Sequence, residues 1–112
     1  MKILLTGAFG NIGSRLLRLL LQRGHTLRGF DMPTPANLKA ARGLAGDLAL
    51  AWGDLRQPAD VQAAVQGQEA IIHLAFIIPH ISITGVDSEA QPDWARAVNV
   101  DGTRALLAAA QA

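Results

Sequence analysis

Apolar and polar positions alternate along the chain in two distinct ways, short runs that are apolar throughout and longer runs that are apolar on one side. Residues 3–5 are apolar at every position, as expected of a strand buried on both faces of a parallel sheet. Between residues 12 and 21 apolar side chains recur at helical spacing, while Arg15 and Arg18 share the opposite face. The pattern predicts a strand, a turn and a helix in that order.

The same alternation of strand-like and helix-like segments continues to the end of the chain. Three further strands are expected, at residues 25–30, 47–52 and 70–78, the last of these as a strand or a strand plus turn. Three further helices are expected, at residues 36–44, 58–66 and 92–110. Residues 79–91 have no clear period and are expected to form a loop. Gly102 interrupts the last helix, which suggests that something packs closely there.

Strands that alternate with helices imply right-handed crossovers and a parallel sheet. We therefore expect an α/β fold with an incomplete Rossmann-like sheet of about four strands in the order 3-2-1-4 and helices on both faces, forming one domain over residues 1–112. A ligand would bind at the carboxyl ends of strands one and four, where the winding reverses.

The apolar fourth strand would lie at an edge of this sheet, which is a liability for a free chain. We hypothesise that the chain is the amino-terminal part of a longer protein, or that it self-associates through this edge or through the final helix.

The first turn contains three glycines at three-residue intervals, Gly7, Gly10 and Gly13. Gly7 permits a tight turn, Gly10 leaves space for phosphates, and Gly13 lets the helix lie close to the sheet. The first helical turn has no carboxylate, so a bound anion could take that place. A turn that binds nothing would give the same triplet, but here it lies between a strand and a helix, as a dinucleotide site requires.

Asp31 ends the second apolar run, where an acid reaches the ribose hydroxyls of a dinucleotide. Its carboxylate would accept from two hydroxyls and repel a 2′-phosphate, and the turn at Ala8 and Phe9 offers no cation. These features favour NAD over NADP as the cofactor. Lys39 and Arg42 would weaken this preference if their helix leans over the ribose.

Composition excludes several classes of function. Half of the residues are apolar, the net charge is +1, and the basic residues are scattered, which argues against a nucleic-acid surface. The absence of cysteine excludes disulfides and thiolate metal sites and fits a cytoplasmic location. Three scattered histidines without clustered carboxylates do not indicate a metal site. The Leu-rich segment at 16–21 is broken by Arg18, so no membrane span or membrane partner is expected.

Five motifs in order resemble those of the extended short-chain dehydrogenase/reductases, also called NAD-dependent epimerase/dehydratases, which act largely on nucleotide sugars. The motifs are TGAFGNIG at 6–13, Asp31, Gly53-Asp54-Leu55, His73-Leu74-Ala75, and NVDGT at 99–103. The resemblance implies pyrophosphate on the backbone of the glycine turn, ribose on Asp31, and adenine near Asp54 and Leu55. It makes Asn99 an organiser near the active site. The expected cofactor-binding residues are Gly7, Phe9, Gly10, Asn11, Ile12, Gly13, Asp31, Met32, Asp54, Leu55, Leu74, Ala75, Phe76 and Asn99.

Four of the singled-out residues also have structural interpretations. Asp54 could cap a turn before the helix at 58–66, and His73 is interpreted as a core histidine. Asn99 could be hydrogen-bonded at a helix–sheet junction, and Trp94 is expected in a core or interface.

Two departures from the family pattern bear on activity. Phe76 stands where the family's His-Leu-Ala-Ala element has its second alanine, and its larger side chain would narrow the space around the nicotinamide end of the cofactor. Family catalysis rests on a Tyr-x-x-x-Lys pair, and this chain contains no tyrosine. We therefore assign no catalytic residue. We expect the chain alone to bind a dinucleotide without turning over a substrate. A nucleotide-sugar substrate would bind only with a further carboxyl-terminal part. The alternatives are a non-catalytic NAD(P) sensor similar to NmrA-like regulators, and a degenerate scaffold without function.

Overall fold

A computed structural model of the protein describes residues 1–77 and 92–111, so the loop expected at 79–91 lies outside the described residues. The strands are β1 (Lys2–Thr6), β2 (Thr26–Asp31), β3 (Leu48–Trp52) and β4 (Ala70–His73). The helices are α1 (Asn11–Gln22), α2 (Pro35–Ala41), α3 (Pro58–Val65), α4 (Pro92–Arg96) and α5 (Gly102–Gln111), with a π-helical segment, Ala97–Asp101, between the last two.

The four strands form one sheet in the order β3-β2-β1-β4, and every neighbouring pair is parallel. Thr6 at the end of β1 lies opposite Phe30 of β2 and His73 of β4. The carboxyl ends of β1 and β4 therefore lie side by side. The fold class and strand order expected from the sequence are confirmed.

Both faces of the sheet are covered by helices, because successive side chains of a strand point to opposite faces. On one face Leu4 packs with residues of α3, α4 and α5, including Val61 and Leu106. On the other face Leu5 packs with Leu17 of α1. A central strand buried on both sides explains why residues 3–5 are apolar at every position.

The end of α1 is fixed by Gly24, which has a φ of +82°. The Gly24 N–H donates to the carbonyl of Leu21 (3.1 Å) and the His25 N–H to the carbonyl of Leu20 (3.2 Å). This pair of bonds is a Schellman motif, in which a left-handed residue satisfies the last free carbonyls of a helix. The chain then enters β2 directly at Thr26.

The fourth strand is shorter and less buried than its apolar sequence indicated. It ends at His73, and its residues are half-buried because β4 has only β1 as a neighbour in the described part of the sheet. Beyond His73 the N–H groups of Leu74 and Ala75 donate to the Thr6 hydroxyl, at 3.1 and 3.2 Å. The Leu74 N–H also reaches the Thr6 backbone carbonyl (3.2 Å), so the side chain of Thr6 shares one donor with the ladder and takes the next.

The final helix is not continuous, since a π-helical turn interrupts it. The hydroxyl of Thr103, which lies one turn after Asn99, donates a hydrogen bond to the Asn99 carbonyl (2.6 Å). The close packing expected at Gly102 is present, because a Cβ there would lie 2.8 Å from the Leu55 Cβ. The helix expected at 36–44 ends at Ala41. Beyond it, the Leu44 N–H donates to the Ala41 carbonyl (3.3 Å), which closes a single turn.

Candidate functional site

A cavity of about 520 Å³ opens at the carboxyl ends of β1 and β4, a volume in the usual range for small-molecule sites. It lies at the reversal of strand order, where ligands of open α/β sheets bind. Its walls come from the glycine turn, the end of β2, the segments after β3 and β4, and α4 with the π-helical turn. The lining residues are Gly7, Gly10, Asn11, Ile12, Gly13, Phe30, Asp31, Met32, Gly53, Asp54, Leu55, Leu74, Ala75, Phe76, Ile77, Trp94 and Val98.

The glycine turn brings three backbone segments close together. Gly7 has a φ of +67°, and a Cβ on it would lie 2.8 Å from the Ala75 nitrogen. A Cβ on Gly13 would overlap the Gly7 carbonyl oxygen. Side chains are thus excluded from the place where β1, α1 and the exit of β4 meet, and the cavity wall there is bare backbone.

The amino terminus of α1 faces this cavity without a polar partner of its own. Gly10 is the N-cap and supplies no side-chain hydrogen bond, and the first turn contains no acid. Asn11, Ile12 and Gly13 of that turn all line the cavity. Free N–H groups and the positive end of a helix dipole make such a terminus suited to an anion.

Asp31 is held at the end of β2 by two backbone donors. Its Oδ2 accepts from the Phe9 N–H (3.0 Å) and its Oδ1 from the Met32 N–H (2.8 Å). Burial raises the pKa of this carboxyl, and the hydrogen bonds from Phe9, Met32 and Asn37 only partly offset it. With three donors, the carboxylate retains acceptor capacity, since its two oxygens offer about four lone-pair sites. The carboxylate is therefore desolvated and can accept from a ligand carrying hydroxyl groups.

The loop after Asp31 is fixed by Asn37, which sequence reasoning missed. The Asn37 side chain is buried and donates to the Met32 carbonyl (2.8 Å), while Thr34 caps α2 by accepting from the Asn37 N–H (3.2 Å). Lys39 is exposed on the same helix, and among the described residues no cation contributes to the pKa shift of Asp31.

Asp54 lies on the opposite wall and forms an ion pair with Arg56 (2.6 Å). The hydrogen bonds from Arg56 hold the pKa of Asp54 below its usual range. The Asp54 N–H donates to Asp60 of α3 (3.0 Å), and the Arg56 guanidinium lies 5.1 Å from the Trp94 ring centroid. Asp54 thus both lines the cavity and closes a turn, since its Oδ1 also accepts from the Arg56 N–H (2.9 Å).

His73 is half-buried at the end of β4 and has a hydrogen-bond partner at each ring nitrogen. Its Nδ1 is 2.6 Å from the Thr6 hydroxyl and its Nε2 is 2.9 Å from the Thr103 hydroxyl. Burial lowers the pKa of His73. This arrangement matches the interpretation of His73 as a core histidine.

Asn99 forms a reciprocal pair with the backbone of Ile77. Its Oδ1 accepts from the Ile77 N–H (2.7 Å), and its Nδ2 donates to the Ile77 carbonyl (2.8 Å). Asn99 therefore lies at a junction between the π-helical turn and the segment that follows β4.

The cavity contains every residue expected at the cofactor except Phe9 and Asn99, which lie behind its wall. Sequence reasoning did not assign Phe30, Gly53, Ile77 and Val98 to the site. The spacing of Trp94 and Val98 predicts one shared helix face, and Trp94 both packs against the core, as expected, and lines the cavity. Phe76 and Ile12 are both exposed at the cavity, so its rim is apolar.

Residues 1–77 and 92–111 contain no metal-binding cluster and no helix suited to span a membrane. No group of three or more histidine or carboxylate side chains is placed to hold a metal ion there. None of the described helices combines the length and apolar character that crossing a bilayer requires.

Comparison with known proteins places this cavity in a family context. The chain is 36% identical to a 3-beta-hydroxysteroid dehydrogenase of Mycolicibacterium neoaurum, over 98% of this chain and 28% of the relative. A short-chain dehydrogenase/reductase superfamily protein from Agrobacterium tumefaciens, solved with bound NAD, superposes with a TM-score of 0.74 at 33% identity. That match covers 98% of this chain and 29% of the other.

The UDP-glucose 4-epimerase of Thermus thermophilus, solved in complex with NAD, superposes with a TM-score of 0.77 at 25% identity, over 97% of this chain and 33% of the epimerase. The chain thus spans about a third or less of the length of these relatives. The family model described as NAD dependent epimerase/dehydratase matches residues 3–112. The chain therefore belongs to the NAD dependent epimerase/dehydratase family.

Proposed function

We propose that this chain is the dinucleotide-binding portion of an epimerase/dehydratase-type protein and that it binds NAD in preference to NADP. The observation that carries the proposal is the position of Asp31. A desolvated carboxylate, held by the Phe9 and Met32 N–H groups, lines the same cavity as a bare glycine turn and the free amino terminus of α1.

The residues present fit such a cofactor in four places. The first turn of α1 would hold the pyrophosphate, because it offers free N–H groups and no competing acid. Asp31 would accept from the adenosine ribose hydroxyls. Asp54 and Leu55 would lie against the adenine, and Leu74, Ala75 and Phe76 would line the way toward the nicotinamide. The relatives solved with NAD support this arrangement.

NAD(P), when bound, supplies hydride transfer, whereas this chain's residues bind and orient it and exclude water around it. The acid/base pair Tyr-x-x-x-Lys of the family has no counterpart in this chain, which lacks tyrosine. Epimerase, dehydratase or oxidoreductase activity on a nucleotide sugar or another hydroxyl-bearing substrate is therefore a proposal for a longer protein. The matched relatives, a hydroxysteroid dehydrogenase and a UDP-glucose epimerase, differ in substrate, so they favour no single one. A cytoplasmic location stays a prediction.

A second candidate function is a non-catalytic NAD(P) sensor similar to the NmrA-like regulators. The observation that favours it is the cavity without tyrosine, which could bind a dinucleotide and report its presence. Cofactor binding would be common to both functions, so it is the property to test first.

The test is calorimetric titration of the chain with NAD and, separately, with NADP. We expect NAD to bind more tightly, and Asp31→Ala to weaken NAD binding at least tenfold, because hydrogen bonds to a charged acceptor are worth about 1.5 kcal/mol or more each. Asp101→Ala, which removes an exposed acid from the π-helical turn, is the control and should bind NAD as the parent does. A folded chain that binds neither cofactor, or an Asp31→Ala variant that binds NAD unchanged, contradicts the proposal.

A further inference from the structure

We propose that Phe9 and Trp52 form an aromatic wall that makes this site selective for a ribose without a 2′-phosphate. The two stacked rings act from behind Asp31 by fixing the position of its carboxylate. Phe9 and Trp52 are therefore positioning residues for cofactor choice. This inference rests on the proposed dinucleotide binding and deepens it.

Three contacts join Phe9, Trp52 and Asp31 into a closed unit. The Phe9 N–H donates to Asp31 Oδ2 (3.0 Å), and Asp31 lies opposite Trp52 in the pairing of β2 with β3. The rings of Phe9 and Trp52 stack with centroids 5.4 Å apart and an interplanar angle of 20°. Moving any one of the three residues therefore disturbs the other two.

The wall acts without touching the cavity. Phe9 is only 9% exposed, and neither Phe9 nor Trp52 is among the lining residues, whereas Asp31 is. The aromatic pair also packs with the cluster that contains Leu5 and Leu17, so it is anchored in the core on the α1 face of the sheet. Its effect on a ligand must pass through Asp31 and the Phe9 backbone.

The charge distribution around Asp31 disfavours binding of the 2′-phosphate of NADP. Burial already penalises the carboxylate, and within the described residues the ion pair that forms is between Asp54 and Arg56, away from Asp31. A 2′-phosphate would add a second anion next to this desolvated one, and sites that accept it supply an arginine nearby. The wall offers two aromatic rings in place of a cation.

Loss of the stack should release the carboxylate. The stacking of an aromatic pair beyond the area it buries corresponds to at most about a tenfold change in an equilibrium constant. Without Trp52 the Phe9 side chain loses its packing partner, so residue 9 can shift as a whole, and its backbone N–H no longer holds Asp31 Oδ2 in one position. NAD then loses its well-placed acceptor, while NADP is freed from part of the repulsion.

The test measures the ratio of NADP to NAD dissociation constants by calorimetry for the parent chain, Trp52→Leu, Trp52→Phe and Leu50→Ala. We expect Trp52→Leu to lower this ratio about three- to tenfold and Trp52→Phe, which can still stack, to keep it. Leu50→Ala removes an exposed apolar side chain from the same strand and should leave the ratio unchanged. If the aromatic pair had only a structural role, Trp52→Leu would weaken the binding of both cofactors equally, and the ratio of dissociation constants would not change.

The outcomes separate this inference from the proposed function. If the parent chain prefers NAD and Asp31→Ala abolishes that preference, but Trp52→Leu retains the parent ratio, the wall is refuted and the cofactor site stands. If the parent binds neither cofactor, the proposed function fails and the wall falls with it. Should circular dichroism show Trp52→Leu to be unfolded, Phe9→Leu removes the stack from the other side, and a retained ratio there refutes the wall equally.

Discussion

Single residues around His73 have their hydrogen-bond directions fixed by their neighbours. The Thr6 hydroxyl oxygen accepts two N–H groups, from Leu74 and Ala75, so its own proton goes to His73 Nδ1. The Nε2 atom of His73 then carries the ring proton and donates to Thr103, whose hydroxyl donates to the Asn99 carbonyl. The ring is therefore neutral and in one tautomer.

We expect the protein to lose stability as the pH falls below the ordinary histidine pKa of about 6.5. Burial lowers the pKa of His73 in the folded state, so its contribution to stability is complete above that ordinary value. The contribution is lost as the pH falls from there through the lowered folded-state pKa, because the unfolded chain binds the proton more readily. Urea unfolding between pH 8 and pH 5 measures the effect.

His73→Gln is the control, because it removes the titrating ring and should flatten this part of the pH profile. Nitrogen-15 NMR of the imidazole gives an independent check and should show the proton on Nε2. A proton on Nδ1, or an identical profile for parent and variant, would count against the network.

Residue-level features were predictable where they depend on a local backbone requirement. Gly7, Gly13 and Asp31 occupy fixed places in the strand–helix–strand unit from β1 to β2, and all three line the cavity. Asn37 and the Phe9–Trp52 stack depend on cross-strand register and on the path of a loop. A single sequence does not specify those.

At the scale of elements, Arg28 links the sheet to the carboxyl end of α3. Its guanidinium donates to the carbonyls of Ala63, Ala64 and Gln66, at 3.2, 2.8 and 2.7 Å. These are the free carbonyls of a helix terminus, where a cation is favourable. One side chain of β2 thus satisfies carbonyls of the last turn of α3, and Gly67, with a φ of +79°, turns the chain after Gln66.

We predict that Arg28→Met destabilises the protein by about 1 kcal/mol, the scale of a charge at a helix terminus. Arg18→Met, which removes an exposed arginine from the middle of α1, is the matched control and should change the free energy of unfolding by less than about 0.5 kcal/mol. Chemical denaturation of both variants measures the difference. Equal losses would show that Arg28 does not support α3.

Element existence was predictable from periodicity, but two boundaries were not. The strand β4 stops at His73 because the hydroxyl of Thr6, which is distant in sequence, accepts the Ala75 N–H and shares the Leu74 N–H with the Thr6 carbonyl. The last helix contains a π-helical turn whose Asn99 pairs with Ile77. Both boundaries are set by tertiary hydrogen bonds between segments far apart in the chain, which local periodicity does not record.

At the scale of the whole molecule, self-association stays a prediction. In the described part of the chain β4 pairs on one side only, and Leu107 of α5 is 59% exposed. An open strand edge and an apolar helix side chain each favour contact with a second surface.

We expect light scattering of the chain to give a mass above that of a monomer. Leu107→Lys should restore the monomer if α5 forms the contact, whereas an unchanged mass would indicate the β4 edge. Leu38→Lys, at an exposed leucine of α2, is the control and should leave the mass unchanged. A monomeric parent would refute self-association altogether.

The whole-molecule topology was predictable because the alternation of strands and helices leaves few arrangements. Substrate was not predictable, because the matched relatives differ in substrate while sharing this portion of the fold. The cavity is built mainly from glycines and apolar side chains, with Asp31 and Asp54 as its two acids.

The contact between Gly13 and the Gly7 carbonyl has an evolutionary consequence. Any side chain at Gly13 would strike that oxygen, so the glycine is required by packing whether or not a ligand binds. Asp31 is the opposite case, because burial makes its charge a cost to the free protein. In a descendant that no longer bound its ligand, the glycines would persist and the acid would be replaced first. The acid at position 31, rather than the glycine triplet, is therefore the better marker of a retained ligand among relatives.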